Sequence, residues 1–445
     1  MEQEQSILFH RHFIMKQILG DLVKKWWTDQ LPTIEQRDVN LIEYFDPKIK
    51  KILSVVGFRR VGKTFTLLDF AAKFGKEKCV YINFEDERLP KKTAVLSALV
   101  DVITELKGQE PLVFLLDEIQ EIPEWSMWAR RINETTHHRL ILSGSSSKLS
   151  SQEIPTELRG QAVTIPIFPL SWGEFLRFRH EDSTTLPHPQ LLHLLREHLT
   201  IGGMPEIVLA EQGLRPLILT NYLNTFVDRD IIERYKLRNK EAFSDLLRLL
   251  PNTRNFTYSK LANTLNSFGH SIGKATLIRY LQWLESSFFL SHLELYSANV
   301  KTKVQSVKKA YLIDNYFSTH FGSTSSENLG HLMEQAVYNQ LHVRSAWYPQ
   351  YQTAYWKDYV GNEVDFLVSN NKSVDEVIQV TFANTLAEIP DREVRGLVKA
   401  AKQFNLKSGK IITWELEDRT EKDGIELIYL PIWKWLENHP STGEV

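Results

Sequence analysis

A chain of 445 residues that is 42% apolar and 24% charged has the composition of soluble globular protein and room for two to four domains with sizeable cores. Its formal net charge of −2 excludes a whole-molecule pull toward nucleic acid or membrane, so any such binding must come from local basic patches. The single cysteine, Cys79, precludes an internal disulfide and points to a reducing compartment.

No apolar run approaches the roughly 18 residues that cross a bilayer, so no membrane partner is expected. The opening "MEQEQSILFHRHF" carries acidic and basic residues where a signal sequence would be uninterrupted apolar, and the expected location is cytoplasmic. The pairs His10/His12 and His137/His138 have no cysteine or acidic companion at zinc spacing, and no zinc site is expected.

In chain order, residues 8–30 read as an amphipathic helix, because "IMKQILGDLVKKWW" sets apolar residues at helical spacing. From about Lys50 the short apolar runs "ILSVVGF", "CVYINF", "LVFLLDE" and "RLILSGS" alternate with helical stretches. That is the pattern of a parallel sheet covered by helices on both faces. "FPLSWGEFLRF" closes this block and leads into leucine-rich helices near 190–250. Residues 256–295 read helix, turn, helix and hairpin, and residues 310–436 mix helices with strands such as "NEVDFLVS", "EVIQVTF" and "GKIITWEL".

The segment "GFRRVGKT", Gly57 to Thr64, matches G-x-x-x-x-G-K-[ST] and lies between the strand "ILSVV" and the helix "FTLLDFAAKF". Gly57, Arg60 and Gly62 belong to a loop whose backbone amides can curl around phosphates, and the following helix adds its N-terminal dipole. Lys63 is expected to reach the β- and γ-phosphates of ATP, and Thr64 to ligand magnesium. The apolar strand "LVFLLDEIQ" ends in Asp117 and Glu118, an aspartate for the magnesium shell followed by a glutamate that can polarise the attacking water. Carboxylates at the mouth of a buried strand are otherwise costly, so the pair points to hydrolysis and not to binding alone. A third strand, "RLILSG", ends in Ser143, Ser145, Ser146 and Ser147, which either sense the γ-phosphate or shape a serine-rich turn. Arg159 in "TELRGQ" is the first arginine placed to act as a finger or sensor, with a solvated loop arginine as the other reading.

Taken together, "GFRRVGKT", "CVYINFEDERL", "LVFLLDEIQEIPEW", "LILSGSSS" and "IFPLSWGEF" resemble a large family of archaeal and bacterial AAA-type ATPases. The resemblance runs from about residue 45 to the end through "IGGMPEIV", "YLIDNYF", "LMEQAVYNQL" and "EVDFLV". It implies an α/β fold: a P-loop parallel-sheet domain, a helical and winged-helix middle, and a C-terminal restriction-endonuclease-like domain. The expected boundaries are a helical segment at 1–45, the AAA-type ATPase domain at 46–185, a helical lid at 186–250, the winged helix at 251–300 and the nuclease-like domain at 301–445. Family members often carry arginine where this chain has Gln161, which leaves Arg159 as the substitute.

In "FTYSKLANTLNSFGHSIGKATLIRYLQWLESSFFLSHLEL", Leu261 and Leu265 pack a first helix, Leu277, Leu281 and Leu284 a second, and Ser271 is the expected N-cap between them. If the second helix enters a groove, Lys274, Thr276, Arg279 and Gln282 form its polar face; a lid or subunit contact is the other use of such a unit. Nearby "VKTKVQSVKK" supplies Lys301, Lys303, Lys308 and Lys309, read as a local basic patch for nucleic acid.

"EVDFLVSNNKSVDEVIQVTF" has the outline of a metal-dependent nuclease site with substitutions. Nucleases of this fold use an aspartate and a glutamate on adjacent strands, with a lysine that positions water. Asp365 keeps the first position and Glu334, with Glu363, can add a carboxylate, but Gln379 and Thr381 stand where glutamate and lysine belong. Strand alternation turns Glu376 to the opposite face. The expectation is a degenerate nuclease fold that holds nucleic acid or protein and does not cut.

The expected function is therefore ATP hydrolysis with magnesium, acting on DNA as duplex, fork or four-way junction in repair, recombination or mobile-element processes. Two alternatives remain open: a nucleotide-switched protein-interaction ATPase, and an ATP-dependent endonuclease. A finger arginine acting in trans would imply a homo-oligomeric ring, which Arg159 alone does not establish.

Overall fold

The computed structural model describes residues 2–46, 48–145, 158, 160–322, 328–371 and 373–438, with side chains from residue 12 onward. Two compact units divide the chain, Met1–Ile167 and Phe168–Val445.

In the first unit the order is α1 (Glu2–Thr28), α2 (Leu41–Tyr44), β1 (Ile52–Val56), α3 (Lys63–Phe74), β2 (Cys79–Asn83), α4 (Ala94–Lys107), β3 (Val113–Asp117), α5 (Trp125–Thr135), β4 (Arg139–Gly144) and β5 (Ala162–Pro166). The five strands are all parallel in the order β2-β3-β4-β1-β5. Every residue of β1 and β3 is buried, as expected when helices cover both faces of a parallel sheet. Helix α1 begins before residue 8 and packs on this sheet: Leu19 and Val23 are buried, and the Trp26 and Trp27 indoles donate to the Cys79 carbonyl at 2.8 and 2.9 Å. Because the strands are parallel, the loops after β1, β3 and β4 share one edge, where open α/β sheets bind ligands.

The second unit opens with α6 (Trp172–Phe178), α7 (His188–Ile201), α8 (Pro205–Leu209), α9 (Arg215–Thr225) continuing into a π-helical stretch Phe226–Glu233, and α10 (Lys240–Leu249). Ser171 and Glu174 form a capping box that fixes the start of α6. There follow β6 (Asn255–Phe256), α11 (Tyr258–Ser267), α12 (Lys274–Ser286), β7 (Leu290–Leu293), α13 (Val300–Gln305), β8 (Lys308–Leu312) and α14 (Asn315–Phe321). Helix α12 begins after Gly273 with no side-chain cap, so Ser271 does not take the expected role. Asn266 organises that turn instead: its Oδ1 accepts from the Ile272 amide at 2.8 Å and its Nδ2 donates to the Ile272 carbonyl at 3.2 Å.

The strands β6-β8-β7 form an antiparallel sheet with β8 in the middle, so the lysine run at 301–309 is split between a surface helix and an internal strand. This corrects the reading of that run as a local basic patch at two of its four lysines, Lys308 and Lys309. Lys308 and Lys309 are buried, and Lys308 Nζ lies 3.1 Å from Glu294 Oε1.

The remaining elements are α15 (Leu329–Trp347), β9 (Tyr351–Lys357), β10 (Glu363–Asn370), β11 (Ser373–Val380), α16 (Asp391–Gln403), β12 (Ser408–Thr413), β13 (Asp418–Lys422), β14 (Ile425–Pro431) and α17 (Ile432–Glu437). They build a mixed six-stranded sheet, β13-β14-β12-β11-β10-β9. On one face Met333 and Val337 of α15 and Trp435 of α17 pack with Phe366, Ile378 and Ile412. On the other, Leu397 and Ala401 of α16 pack with Val364, Leu367, Val377 and Ile411.

Candidate nucleotide site and a second charged cluster

The loop after β1 is shaped by its glycines. Gly57 has φ +155°, and a Cβ there would sit 2.2 Å from the Ile167 carbonyl oxygen, so no side chain can occupy the position. Gly62 has φ 104° and leads into α3, whose first residue is Lys63. Lys63 is buried, with Nζ 3.2 Å from the Gly57 carbonyl and 3.1 Å from that of Phe58, and so spans the loop it follows. Arg37, from the segment before the sheet, donates to the Val61 carbonyl at 2.8 Å and braces the same loop. Arg60 lies exposed at φ 69°.

Asp117 ends β3 fully buried among hydroxyls. Thr64 Oγ1 donates to its Oδ2 at 2.7 Å, the Tyr81 hydroxyl donates to the same oxygen at 2.9 Å, and the Ser143 hydroxyl donates to Oδ1. Burial, then the neighbouring Glu118 charge, raise the Asp117 pKa despite these donors.

Glu118 sits at φ 52°, a left-handed conformation that a non-glycine residue adopts only when its surroundings impose it. Its Oε1 lies 3.8 Å from Lys63 Nζ. Its Oε2 accepts from the Ser145 amide and hydroxyl, both at 3.3 Å, and from Gln120 Nε2. Burial pushes the Glu118 carboxyl up, but Lys63, Gln120 and Arg59 outweigh it and hold it below the usual range, so it is ionised at neutral pH. Ser143 and Ser145 are thus brought to the acidic pair. Arg159, Ser146 and Ser147 lie outside the described residues. Gln161 donates to Glu134 Oε1 at 2.6 Å on an exposed surface.

Sequence reading missed Tyr81, Gln120 and Arg37: Gln120 sits two residues past Glu118 but was given no role, and only the fold carries Tyr81 to Asp117 and Arg37 to the loop. Gln120 has a measurable consequence. A hydrogen bond to a charged group contributes about 1.5–3 kcal/mol, and about 1.4 kcal/mol is tenfold in rate. Gln120→Ala is expected to lower kcat for ATP about tenfold with KM nearly unchanged, read by steady-state hydrolysis. An unaltered kcat would remove Gln120 from the machinery.

A second group of charged residues gathers at β10. Asp365 Oδ2 accepts from Gln379 Nε2 at 2.6 Å and from the Val380 amide at 3.1 Å, while its Oδ1 faces Lys309 Nζ at 2.9 Å. Lys309 also lies 3.2 Å from Glu334 Oε1 and 3.1 Å from Glu363 Oε1. The β10–β9 register shifts between Val364 and Leu367, the kind of irregularity that re-aims a side chain next to a site. Burial pushes the Asp365 carboxyl up to about 6, with Lys309 opposing and Glu334 adding to the rise. Burial and the Asp365 charge push Glu393 of α16 up to about 7, against a hydrogen bond with Thr381. Glu376 is engaged elsewhere, with Arg344 at 2.9 Å and Lys410 at 2.6 Å. Neither Lys309 nor Glu393 was assigned to this cluster from sequence, since both come from elements remote in the chain.

On α12, Lys274, Arg279 and Gln282 are exposed and Thr276 is half-buried. Lys301 is exposed on α13, and Lys303 is partly covered, 3.2 Å from Glu294 Oε2.

Family comparison matches residues 49–176 to an AAA domain, and residues 192–324 and 329–433 to two domains of unknown function, DUF8612 and DUF4143. The uncharacterized protein MJ1544 of Methanocaldococcus jannaschii is 33% identical over 399 residues, covering 86% of this chain and 88% of that protein. The chain belongs to the same family. An uncharacterized protein of Haemophilus influenzae is 28% identical over 404 residues, 88% of this chain and 96% of its own. Among solved structures, the Walker-type ATPase PABY2304 of Pyrococcus abyssi is 14% identical with a TM-score of 0.45, covering 66% of this chain and 99% of that one. The domain match and the geometry of the loop, Lys63, Thr64 and Asp117 agree: the first unit is built on an AAA-type P-loop ATPase domain. Among the described residues, no helix is long and apolar enough to cross a membrane.

Proposed function

We propose that the chain is a magnesium-dependent ATPase that acts on DNA through the domains that follow its P-loop domain. The observation that carries hydrolysis is the convergence of Lys63, Thr64, Asp117 and an ionised Glu118 around one glycine loop. The Thr64 hydroxyl and the Asp117 carboxylate are hard oxygen donors, the set magnesium prefers, and Asp117 is buried without a basic partner among the described residues. The ion, when bound with nucleotide, neutralises phosphate charge. In this reading Lys63 binds the phosphates, Glu118 polarises the attacking water, Ser143 orients Asp117, and Gln120 with Ser145 orients Glu118. Arg159 stays the proposed finger or sensor.

Two helices with an antiparallel sheet around β8 support a winged-helix reading of the middle segment, with its wing running past residue 300 to Leu312. The exposed Lys274, Arg279 and Gln282 on α12 support its second helix as the DNA-facing element, joined by Lys301 and Lys303. The six-stranded sheet between α15 and α16, with Asp365 on β10 and Gln379 on β11, supports a nuclease-like fold that does not cut.

ATP turnover is expected to rise several-fold with duplex, forked or four-way DNA, and the strands to stay intact on a denaturing gel. Lys274→Glu with Arg279→Glu is expected to weaken DNA binding by tenfold or more and flatten its salt dependence. Turnover indifferent to every DNA would overturn this reading in favour of a nucleotide-switched protein-interaction ATPase.

A further inference from the structure

A nuclease-like fold implies a divalent cation held between carboxylates of adjacent strands. The residues present here do not fit one. The second strand offers the Gln379 amide, whose Nε2 is turned toward Asp365 at 2.6 Å and so presents donors where a metal needs an acceptor. Asp365 is already satisfied on both oxygens, by Gln379 and the Val380 amide on one and by Lys309 on the other.

The position between the carboxylates is filled from another element. An ammonium has three donors, and Lys309 Nζ lies within 3.2 Å of three carboxylates: Asp365 at 2.9 Å, Glu363 at 3.1 Å and Glu334 at 3.2 Å. Each acceptor is held in turn, Glu334 by the Tyr311 hydroxyl at 2.8 Å and Glu363 by Lys357 at 3.1 Å. Lys309 is 7% exposed, and although burial opposes its charge, Asp365, Glu334 and Glu363 hold its pKa above the usual lysine range. Among the groups ion-paired around Lys309, three carboxylates against Lys309 and Lys357 leave one negative charge and, without Lys309, two; Glu393, pushed up to about 7 by burial and the Asp365 charge, stands beside them.

We propose that the Lys309 ammonium is a built-in replacement for the divalent cation, holding Asp365, Glu334 and Glu363 together, excluding metal, and pinning β8 to the six-stranded sheet. The proposal rests on the nuclease-like reading above. Lys309 lies on the middle strand of β6-β8-β7 and its carboxylates on β10 and α15, so the ion cluster ties that sheet to the six-stranded sheet and its helix.

The test titrates Mn2+ into nucleotide-free full-length protein and follows the free-ion signal by electron paramagnetic resonance. Wild type is expected to show no Mn2+ uptake that Asp365→Asn removes. Lys309→Met is expected to gain one Mn2+ site at least tenfold tighter than any on the wild type, lost again in Lys309→Met/Asp365→Asn. Its melting temperature is expected to fall and to recover on adding Mn2+, a recovery that Lys309→Met/Asp365→Asn does not show. A folded Lys309→Met protein without the gained site overturns the proposal. So does wild-type uptake abolished by Asp365→Asn, and that comparison decides alone should Lys309→Met not fold. The non-cutting reading is judged separately: DNA cleavage in Mg2+ by wild type but not Asp365→Asn would sink it, whereas Mn2+ uptake without cleavage sinks only the lock.

Discussion

Replacing Glu118 with glutamine is expected to lower kcat for ATP by about 10²–10³-fold while nucleotide affinity changes by no more than a few-fold. The size follows from what the substitution removes. Glu118 is buried and strained at φ 52°, yet Lys63, Gln120 and Arg59 keep it ionised against the cost of burial. A carboxylate held charged in that setting is poised to accept a proton from water, and a general base of this kind is worth roughly 10²–10⁴ in rate. Glutamine has nearly the same shape and keeps one oxygen to accept from the Ser145 amide, so the loop and Lys63 should stay in place. Nucleotide binding, followed with a fluorescent ATP analogue, should therefore survive while single-turnover hydrolysis collapses. A Glu118→Gln enzyme turning over normally would pass the water-activating role to another group and remove the reason for its strained backbone.

The ATPase half was legible because its chemistry is local. A strand, a glycine loop and a helix start occupy consecutive residues, so Gly57, Lys63 and Thr64 could be placed before any fold was known. Asp117 and Glu118 were readable for a related reason, because an apolar strand ending in two acids has few physical explanations. What could not be read was the support around them. Tyr81 reaches Asp117 only because β2 is laid beside β3, and Arg37 reaches the loop from a segment before β1.

The C-terminal cluster failed in sequence for the same reason, more severely. Alternation along β11 correctly separated Gln379 from Glu376, since period-two geometry is a property of one strand. It could not see that Lys309, read as one member of a local basic patch, would be carried inside by β8. Burying a lysine is costly unless it is paired, and its three carboxylates lie on α15 and β10, decided by tertiary packing alone.

The second large effect is expected at Gly202, where alanine should destabilise the second unit by about 3 kcal/mol or more. Gly202 follows α7 at φ 70° and ψ −159°, a region essentially closed to residues with a side chain, with a strain of roughly 1–3 kcal/mol for leaving glycine. An added Cβ would stand 1.8 Å from Asp314 Oδ1, so the carboxylate must move. That carboxylate caps α14 by accepting the Tyr316 amide at 2.9 Å and ties in the loop after α7 by accepting the Gly203 amide at 2.7 Å. Displacing it leaves two buried donors unpaired, each costing about 1–3 kcal/mol. By the usual scaling, about 3 kcal/mol in a unit of this size lowers its melting temperature by roughly 6–12 °C, measurable by scanning calorimetry. Asp314→Ala should destabilise too, but the double variant by less than the two combined, because without the carboxylate the new methyl has room. Burial pushes the Asp314 carboxyl from 3.8 up to about 6 against both amide donors. A folded pKa raised above the unfolded one means the native state binds the proton more tightly, so this group's contribution to stability is fullest below about pH 4 and declines as pH rises through about 6. Asp314→Asn should flatten that stretch of the stability profile. Additive destabilisation in the double variant, or an unchanged slope between pH 4 and 6, would show that Asp314 is not what holds the two loops together.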